Sequence, residues 1–389
     1  MDFRFSEEQQ QFRMELREWL KDNLERSWIE ELRDPDNDEK KLFDIRRSWQ
    51  AKLNEFGYLG IHWPKEWGGR GLTVVENAIF AAETIHAPPI ASRVGINLLG
   101  PALIHHATEE QRKRFIPKML SGEEVWCQGF SEPDAGSDLA ALRTRAEPDG
   151  EDFRLEGQKV WTTFAPWSDW IFVLARTDPD DRYGGITFFL VSLHQEEIDV
   201  RPIRQITGES EFGEVFFSGA LAKREHIIGA IGEGWKIAMT VLAYERGSMS
   251  LAHLARFDHY LKDLVQGVRE QGTLKRTDVR EKIARLLVEK EILRANGYRT
   301  LATLASGQAP GPEASLEKIF WSEYSRRLAD GALDLLGLQA QLLVRSPYAR
   351  PHMDWAQEAL YSRAVTIYAG SSEIQRNIIS KRILKLPSS

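Results

Sequence analysis

The sequence predicts an α+β protein, mostly α, in which a small antiparallel β domain sits between two helical regions. Three observations predict it. The chain opens on a capped amphipathic helix. Its middle carries short runs rich in β-branched and aromatic residues, separated by turn residues. Long helical periodicity returns from Trp235 onward. The expected segments are 1–124 (helical), 125–230 (β) and 231–389 (helical).

In the first segment, Ser6 followed by Gln9 fits a capping box, and Phe12, Leu16, Trp19 and Leu20 recur at helical spacing. "GYLGIHWPKEWGGRGL" (57–72) interrupts the pattern with Pro64 and the Gly68-Gly69 pair and reads as a loop between helices. Helical patterning then resumes to about Lys118. In the second segment "DFRLEGQKVWTTF" alternates, and "WIFVLAR" (170–176) and "GITFFLVSL" (185–193) are short apolar runs. "PDG" (148–150) and "DPDDRYGG" (178–185) separate them as turns, a pattern that predicts consecutive antiparallel strands. In the third, "EKIARLLVEKEILRANGYRTLATLASG" is a long amphipathic stretch, and "GQAPGPEAS" (307–315) breaks it before the next helix. There is no internal repeat and no low-complexity tract.

With 389 residues, 42% hydrophobic and 28% charged, the chain has the size and composition of an ordinary globular protein with a large core. No apolar run is long enough to span a bilayer. The opening "MDFRFSEEQQ" is acidic and polar, unlike a secretory signal or an Arg-rich transit peptide. Cys127 is the only cysteine, so no internal disulfide can form, and a cytoplasmic location is expected. A net charge of −7 argues against nucleic-acid binding, and any anionic ligand must be held by a local site.

No G-x-G-x-x-G follows a strand; "GAIGEG" (229–234) has the wrong spacing. Walker A, H-E-x-x-H and paired C-x-x-C motifs are missing too, so no metal site is expected, and His105-His106 is an adjacent pair with a structural or surface role. What stands out is "WCQGFSEPDAGSDLAALRTRA" (126–146) followed by "GQKVWTTFAPWSDWIF" (157–172). The small residues 135–138 leave backbone N–H groups and a hydroxyl open to a pyrophosphate, in the manner of a nest. Trp161, followed by two threonines, offers a flat surface beside hydroxyl donors. Taken singly, each feature is more often a packed tryptophan or a plain turn.

Together, "SEPDAGSD", "GQKVWTT" and the C-terminal "YAGSSEIQRN", in that order, resemble the acyl-CoA dehydrogenase family. The resemblance extends to "WPKEWGG", "EEQRKRFIPKMLSGE" (109–123) and "GEGWKIAMTVLAYERG" (232–247), and so covers nearly the whole chain. It implies a helical domain, a central β domain and a C-terminal four-helix bundle that drives assembly into a homodimer or homotetramer, with a heteromer as an alternative. It implies FAD at the junction of β domain and bundle. Phe130 (through its backbone) and Ser131 would meet the isoalloxazine edge. Gly136 and Ser137 would lie near phosphates or the thioester chain. Trp161 would lie against the flavin with Thr163 near N5, and Ser371 and Glu373 would hold the cofactor from the C-terminal helix start. Ser137, Tyr368, Gly370 and Arg246 would contact the acyl-CoA substrate.

The family's reaction removes an α proton from the thioester while the β hydrogen leaves as hydride. It requires a carboxylate at the α carbon and donors at the developing enolate oxygen. Many relatives place that carboxylate where this chain has Ala369. The alanine keeps only its backbone N–H, which the resemblance assigns to the oxyanion. Isovaleryl- and long-chain-type members carry the base on another helix, just before an arginine; here that position is Glu245, before Arg246, and Gly247 would widen the acyl pocket. The resemblance therefore implies an oxidoreductase of lipid metabolism that forms a trans-2-enoyl-CoA and passes electrons to an electron-transfer flavoprotein. An oxidase or flavin monooxygenase on the same fold, and a non-catalytic partner of an active homologue, are the alternatives. The chain departs from the family at "REQGTLKRTDVREKIARL" (269–286) and "DLLGL" (334–338), which lack the motifs that many homotetramers use to grip FAD from the neighbouring subunit.

Overall fold

The computed structural model describes residues 5–34, 38–247, 250–308, 311–342, 346, 348 and 353–387, and of residues 33, 243–247 and 250 the backbone alone. Among the described residues six α-helices come first: α1 (Glu7–Asn23), α2 (Arg26–Arg33), α3 (Glu39–Glu55), α4 (Val74–Glu83), α5 (Gly100–His106) and α6 (Glu109–Ser121). Seven strands follow: β1 (Trp126–Gly129), β2 (Arg145–Asp149), β3 (Asp152–Thr163), β4 (Trp170–Arg176), β5 (Ile186–Ser192), β6 (Ile198–Ile203) and β7 (Phe212–Ala222). Six more helices complete it: α7 (Gly234–Gly247), α8 (Ser250–Glu270), α9 (Thr277–Ala305), α10 (Ala314–Leu336), α11 (Trp355–Tyr361) and α12 (Ser372–Ile378).

Local chemistry starts α1 where the sequence says it should. At α1 the Ser6 hydroxyl accepts from the Gln9 N–H at 3.2 Å while the Gln9 side chain accepts from the Ser6 N–H at 3.0 Å. Thr73 with Glu76 and Thr108 with Gln111 form the same box at α4 and α6. On α1, Phe12 and Leu16 are buried and Trp19 and Leu20 half-buried.

Two compact units form, and neither is one continuous stretch. The helical unit combines Met1–Asp36, Thr73–Ala87 and Arg246–Ser389; the sheet unit combines Asn37–Leu72 and Pro88–Glu245. In the helical unit, α8, α9 and α10 pack on one another, α4 lies on α8 and α9, and α1 lies on α4. In the sheet unit the strand order is β1-β4-β2-β3-β7-β6, with β5 on the other side of β4. The apolar faces of all the strands meet in one core that includes Leu155, Ile171, Phe189, Val215 and Ala220. Cys127 lies inside this core, where burial pushes its thiol up to about 12 and leaves it unreactive.

The sheet differs from a run of consecutive antiparallel strands in two ways. β4 and β5 do pair antiparallel, but β3 pairs with β2 and β7, not with β4. β1 pairs with β4 in parallel, Trp126 opposite Trp170 through Gly129 opposite Val173. The connection from β1 to β4 passes through the whole β2–β3 hairpin, which gives it the length that a parallel pairing needs.

Candidate active site

In the sheet unit the candidate residues gather around a bulge in β3. The ladder with β7 slips between Lys159 and Thr162, so Val160 and Trp161 have no partner in it. Trp161 takes a left-handed backbone conformation, φ 59°, and its side chain is 59% exposed, with the Phe212 ring edge-on at 6.2 Å. A bulky residue in that conformation is strained, and such strain is concentrated where structure serves function. The residues on either side are held firmly. Thr163 returns to the ladder opposite Phe212, and the Val160 N–H donates to the Ser131 carbonyl at 2.9 Å.

That last bond ties β3 to the "SEPDAGSD" loop, and a buried ion pair ties it further. Lys159 is wholly buried, and its ammonium donates to the Glu132 carboxylate at 2.8 Å and to the Phe130 carbonyl at 3.2 Å. The Glu132 carboxylate also accepts from the backbone N–H groups of Arg143 (2.6 Å) and Thr144 (2.9 Å), which closes the loop 132–144. Burial alone would raise the Glu132 carboxyl, but the Lys159 charge and these donors outweigh it and hold it below the usual carboxylate value. Burial dominates at Lys159 and draws its pKa down to about 8, against the pull of Glu132. Gly157 makes the approach possible: at φ 144°, a Cβ there would stand 2.8 Å from the Thr144 Cα. Within this clamped loop Gly136 and Ser137 are exposed, and among the described residues no acceptor faces either N–H. Asp138 is joined to Arg182 by two bonds, at 2.5 and 2.7 Å. The Phe130 ring itself belongs to the core, edge-on to Phe172 and Phe188, so only its backbone is available to a ligand.

The helical unit, taken by itself, carries a turn at residues 367–371. Ala369 and Gly370 are consecutive left-handed residues, φ 54° and 84°. The wholly buried Gln375 amide donates to the carbonyls of both, at 3.1 and 3.2 Å. Its other end has no acceptor role to fill, for the Oε1 is buried without a partner. The opposite flip would set that oxygen against two carbonyl oxygens, so the hydrogen bonds fix the orientation. Among the described residues the Ala369 N–H has no acceptor. Lys318 of α10 donates to the Val365 carbonyl at 2.9 Å, and the Ser372 hydroxyl donates to Glu323 of α10 at 3.3 Å, which anchors the turn to the helices. Ser371 caps α12, its hydroxyl accepting from the Ile374 N–H; Tyr368 and Glu373 are exposed. Upstream, Arg256 of α8 pairs with Glu358 of α11 at 2.9 Å, with Tyr260 bonded to both.

Phe130, Ser131, Gly136, Ser137, Trp161 and Thr163 thus belong to the sheet unit, where backbone bonds join their segments. Arg246, Tyr368, Ala369, Gly370, Ser371 and Glu373 belong to the helical unit. Glu245 lies near the end of α7, and the side chains of Glu245, Arg246 and Gly247 fall outside the described residues. Sequence reasoning passed over Glu132, Lys159 and Gln375, although each stands inside a quoted motif. The available signal was Lys159, a charge at an inward position of an alternating strand. Among the described residues no cluster of His, Cys, Asp and Glu could hold a metal, and no helix is long and apolar enough to cross a membrane.

Three domain descriptions match the chain in order: acyl-CoA dehydrogenase N-terminal domain over residues 6–123, middle domain over 127–220 and C-terminal domain over 232–384. The chain is similar to the acyl-CoA dehydrogenase IpdE1 of Mycolicibacterium smegmatis, 38% identical over 98% of each chain. It is also similar to IpdE1 of Mycobacterium tuberculosis, 39% identical over 97% of this chain and 98% of that one. Among solved structures, the Tcur3481-Tcur3483 steroid ACAD superposes with a TM-score of 0.90 at 28% identity, covering 100% of both chains. The ChsE4-ChsE5 complex from Mycobacterium tuberculosis superposes with a TM-score of 0.89 at 27% identity, again over 100% of both chains. With its helical ends, middle β domain and full-length match, the chain belongs to the acyl-CoA dehydrogenase family and is an oxidoreductase.

Proposed function

We propose that the chain catalyses FAD-dependent α,β-dehydrogenation of an acyl-CoA thioester to the trans-2-enoyl-CoA. The observation that carries the reading is the unclaimed Ala369 N–H, presented by two left-handed residues whose carbonyls are held from behind by Gln375. A fixed donor of this kind suits an oxygen that gains charge as the α proton leaves.

The residues present fit the flavin. Trp161 offers an exposed indole on a bulge, with the half-buried Thr163 and Ser131 beside it and free N–H groups at Gly136 and Ser137. Trp161, Thr163, Phe130 (backbone) and Ser131 are proposed to hold the ring. Gly136 and Ser137 are proposed to meet phosphate or the thioester arm, and Ser371 and Glu373 the cofactor from the α12 start. When bound, FAD supplies the acceptor for the β hydrogen. Glu245 takes the α proton, the Ala369 N–H donates to the thioester oxygen, and Tyr368, Gly370, Ser137 and Arg246 line the substrate. In this division residues 1–124, 125–230 and 231–389 act as helical support, flavin and substrate platform, and base-bearing bundle. An electron-transfer flavoprotein takes the electrons.

Two related structures pair two different chains, Tcur3481-Tcur3483 and ChsE4-ChsE5, and the first is named a steroid ACAD. We therefore extend the proposal to a steroid-bearing acyl-CoA and to assembly with a second, homologous chain. A second reading, a non-catalytic partner subunit, draws support from Ala369 itself, which removes the carboxylate from this turn. Anaerobic mixing of acyl-CoA with the flavin-loaded protein separates the two. Wild type is expected to bleach, most readily with a steroid-bearing thioester. Glu245→Gln is expected to stay yellow and to lose bleaching by roughly 10³-fold. Bleaching at the wild-type rate in that variant would remove Glu245 from the mechanism. A wild type that never bleaches would favour the partner-subunit reading.

A further inference from the structure

Lys159 and Glu132 carry more of the site than their place outside the ligand-facing residues implies. The geometry points to this buried pair as the positioning device for the flavin platform: it locks the Phe130–Ser131 backbone, the loop 132–144 and the Trp161 bulge into one register. This inference rests on the FAD reading above and adds to it the residues that hold the platform rigid.

Three observations carry it. First, the ammonium has two anchors, on different sides of Ser131 in the sequence. It grips the Phe130 carbonyl and the Glu132 carboxylate together, so Ser131 between them cannot shift without breaking one or the other. Second, Glu132 accepts from donors at three places: the Lys159 side chain and the backbones of Arg143 and Thr144, 11 and 12 residues further along. The loop that holds the exposed Gly136 and Ser137 is therefore closed at its base by one carboxylate. A reciprocal pair of backbone bonds between Glu132 and Ala135 tightens the same turn. Third, Lys159 is the last residue of β3 in the ladder before the bulge, and the strand rejoins β7 at Thr162. Its side chain points into the core while Trp161, two residues on, points out. Residues two apart on a regular strand share a face, so the left-handed turn at Trp161 is what sends the indole outward, and Lys159 anchors the strand at that turn.

A buried charge pair is a costly way to fill a core, and an apolar pair of similar volume often stabilises as well or better. Its advantage here is direction: one carboxylate and one ammonium bond each other and three separate backbone groups. A ligand-binding platform needs that rigidity more than it needs net stability.

The test is flavin release from the purified holoenzyme, followed by the return of free-flavin fluorescence on dilution, together with the thermal midpoint of the apoprotein. Lys159→Met and Glu132→Gln each leave one buried group without its partner, and both are expected to lower the midpoint and to release FAD faster. The deciding variant is the double Lys159→Met/Glu132→Gln, which removes both charges. It is expected to recover most of the apoprotein midpoint yet release FAD about tenfold faster than wild type, the equivalent of one charge-assisted hydrogen bond. If the double variant retains FAD as well as wild type does, the pair is only structural and the inference fails. If the wild-type protein itself takes up no FAD, it is the reading beneath it that fails, and the two results cannot be confused.

Discussion

The platform loop of the sheet unit and the 367–371 turn of the helical unit are held by opposite means. In the sheet unit a charged pair, Lys159 and Glu132, is buried and takes part in four hydrogen bonds. In the helical unit a neutral amide, Gln375, bonds two carbonyls and leaves its own oxygen orphaned. The first device is strong, directional and sensitive to protonation. The second is weaker and indifferent to pH. The difference follows the job: the sheet unit must close a loop of 13 residues from Glu132 to Thr144 and turn a strand, while the helical unit needs only to steady two residues ahead of a helix.

Breaking the charged clamp from one side should have the largest effect. Lys159→Met leaves the Glu132 carboxylate buried beside two backbone donors but without a cation. A loss of roughly 3–5 kcal/mol is expected, because an uncompensated buried charge is the costly outcome. Urea unfolding of the apoprotein, wild type against variant, measures it. A loss under about 1 kcal/mol would mean that water reaches the carboxylate and that the clamp is looser than its geometry implies.

The next effect is a pH slope confined to the same clamp. Desolvation lowers the folded-state pKa of Lys159 from its ordinary 10.5 to about 8, with Glu132 opposing and Arg176 adding to the fall. Between those two values the unfolded chain holds a proton that the folded chain has released, so stability contributed by this group rises with pH. The contribution is complete above the ordinary value and is lost as pH falls through about 8. Its full span is about 3 kcal/mol, from 1.36 kcal/mol per pKa unit. Subtracting the unfolding free energy of Lys159→Met/Glu132→Gln from that of wild type, at intervals from pH 7 to about 10, isolates the slope. A flat difference would contradict the burial of the ammonium.

This contrast also explains what could be read from the sequence and what could not. Helix starts were legible because their chemistry is local: Ser6 and Gln9 are three residues apart and form their box as the spacing requires. The positions of β3, β4 and β5 were legible for the same reason. Strand partners were not, since the pairing of β3 with β7 and of β1 with β4 depends on bonds between distant segments. The residues proposed for the flavin platform came from motif resemblance. Trp161 by itself would have been assigned to a core, because nothing in "KVWTT" announces a left-handed bulge. Lys159 was overlooked because a lysine in a strand ordinarily faces water, and only Glu132, 27 residues away, makes its burial tolerable. Gln375 was hidden in the opposite sense, being an unremarkable helix residue until its amide meets the carbonyls of Ala369 and Gly370.

The smallest stability effect belongs to the neutral clamp, and it sharpens the comparison by its shape. Gln375→Met keeps the buried volume close to that of glutamine and removes both the two donated bonds and the orphaned oxygen. Losing the bonds costs stability, and losing the orphan returns part of it, so the net change should be only about 1 kcal/mol. It should not vary between pH 7 and 9, since no group at this turn gains or loses a proton through Gln375. Its catalytic signature should be larger than its thermodynamic one. With the carbonyls of Ala369 and Gly370 released, two left-handed residues lose what holds them, and the Ala369 N–H no longer keeps a fixed aim. A donor that wanders is of use to a ground-state carbonyl but not to a short-lived enolate, so kcat should fall about tenfold while KM changes little. Steady-state kinetics with any acyl-CoA that bleaches the wild-type flavin can read the split. If KM rises and kcat holds, Gln375 shapes the pocket instead of steadying the donor. If neither moves, the turn is rigid without it.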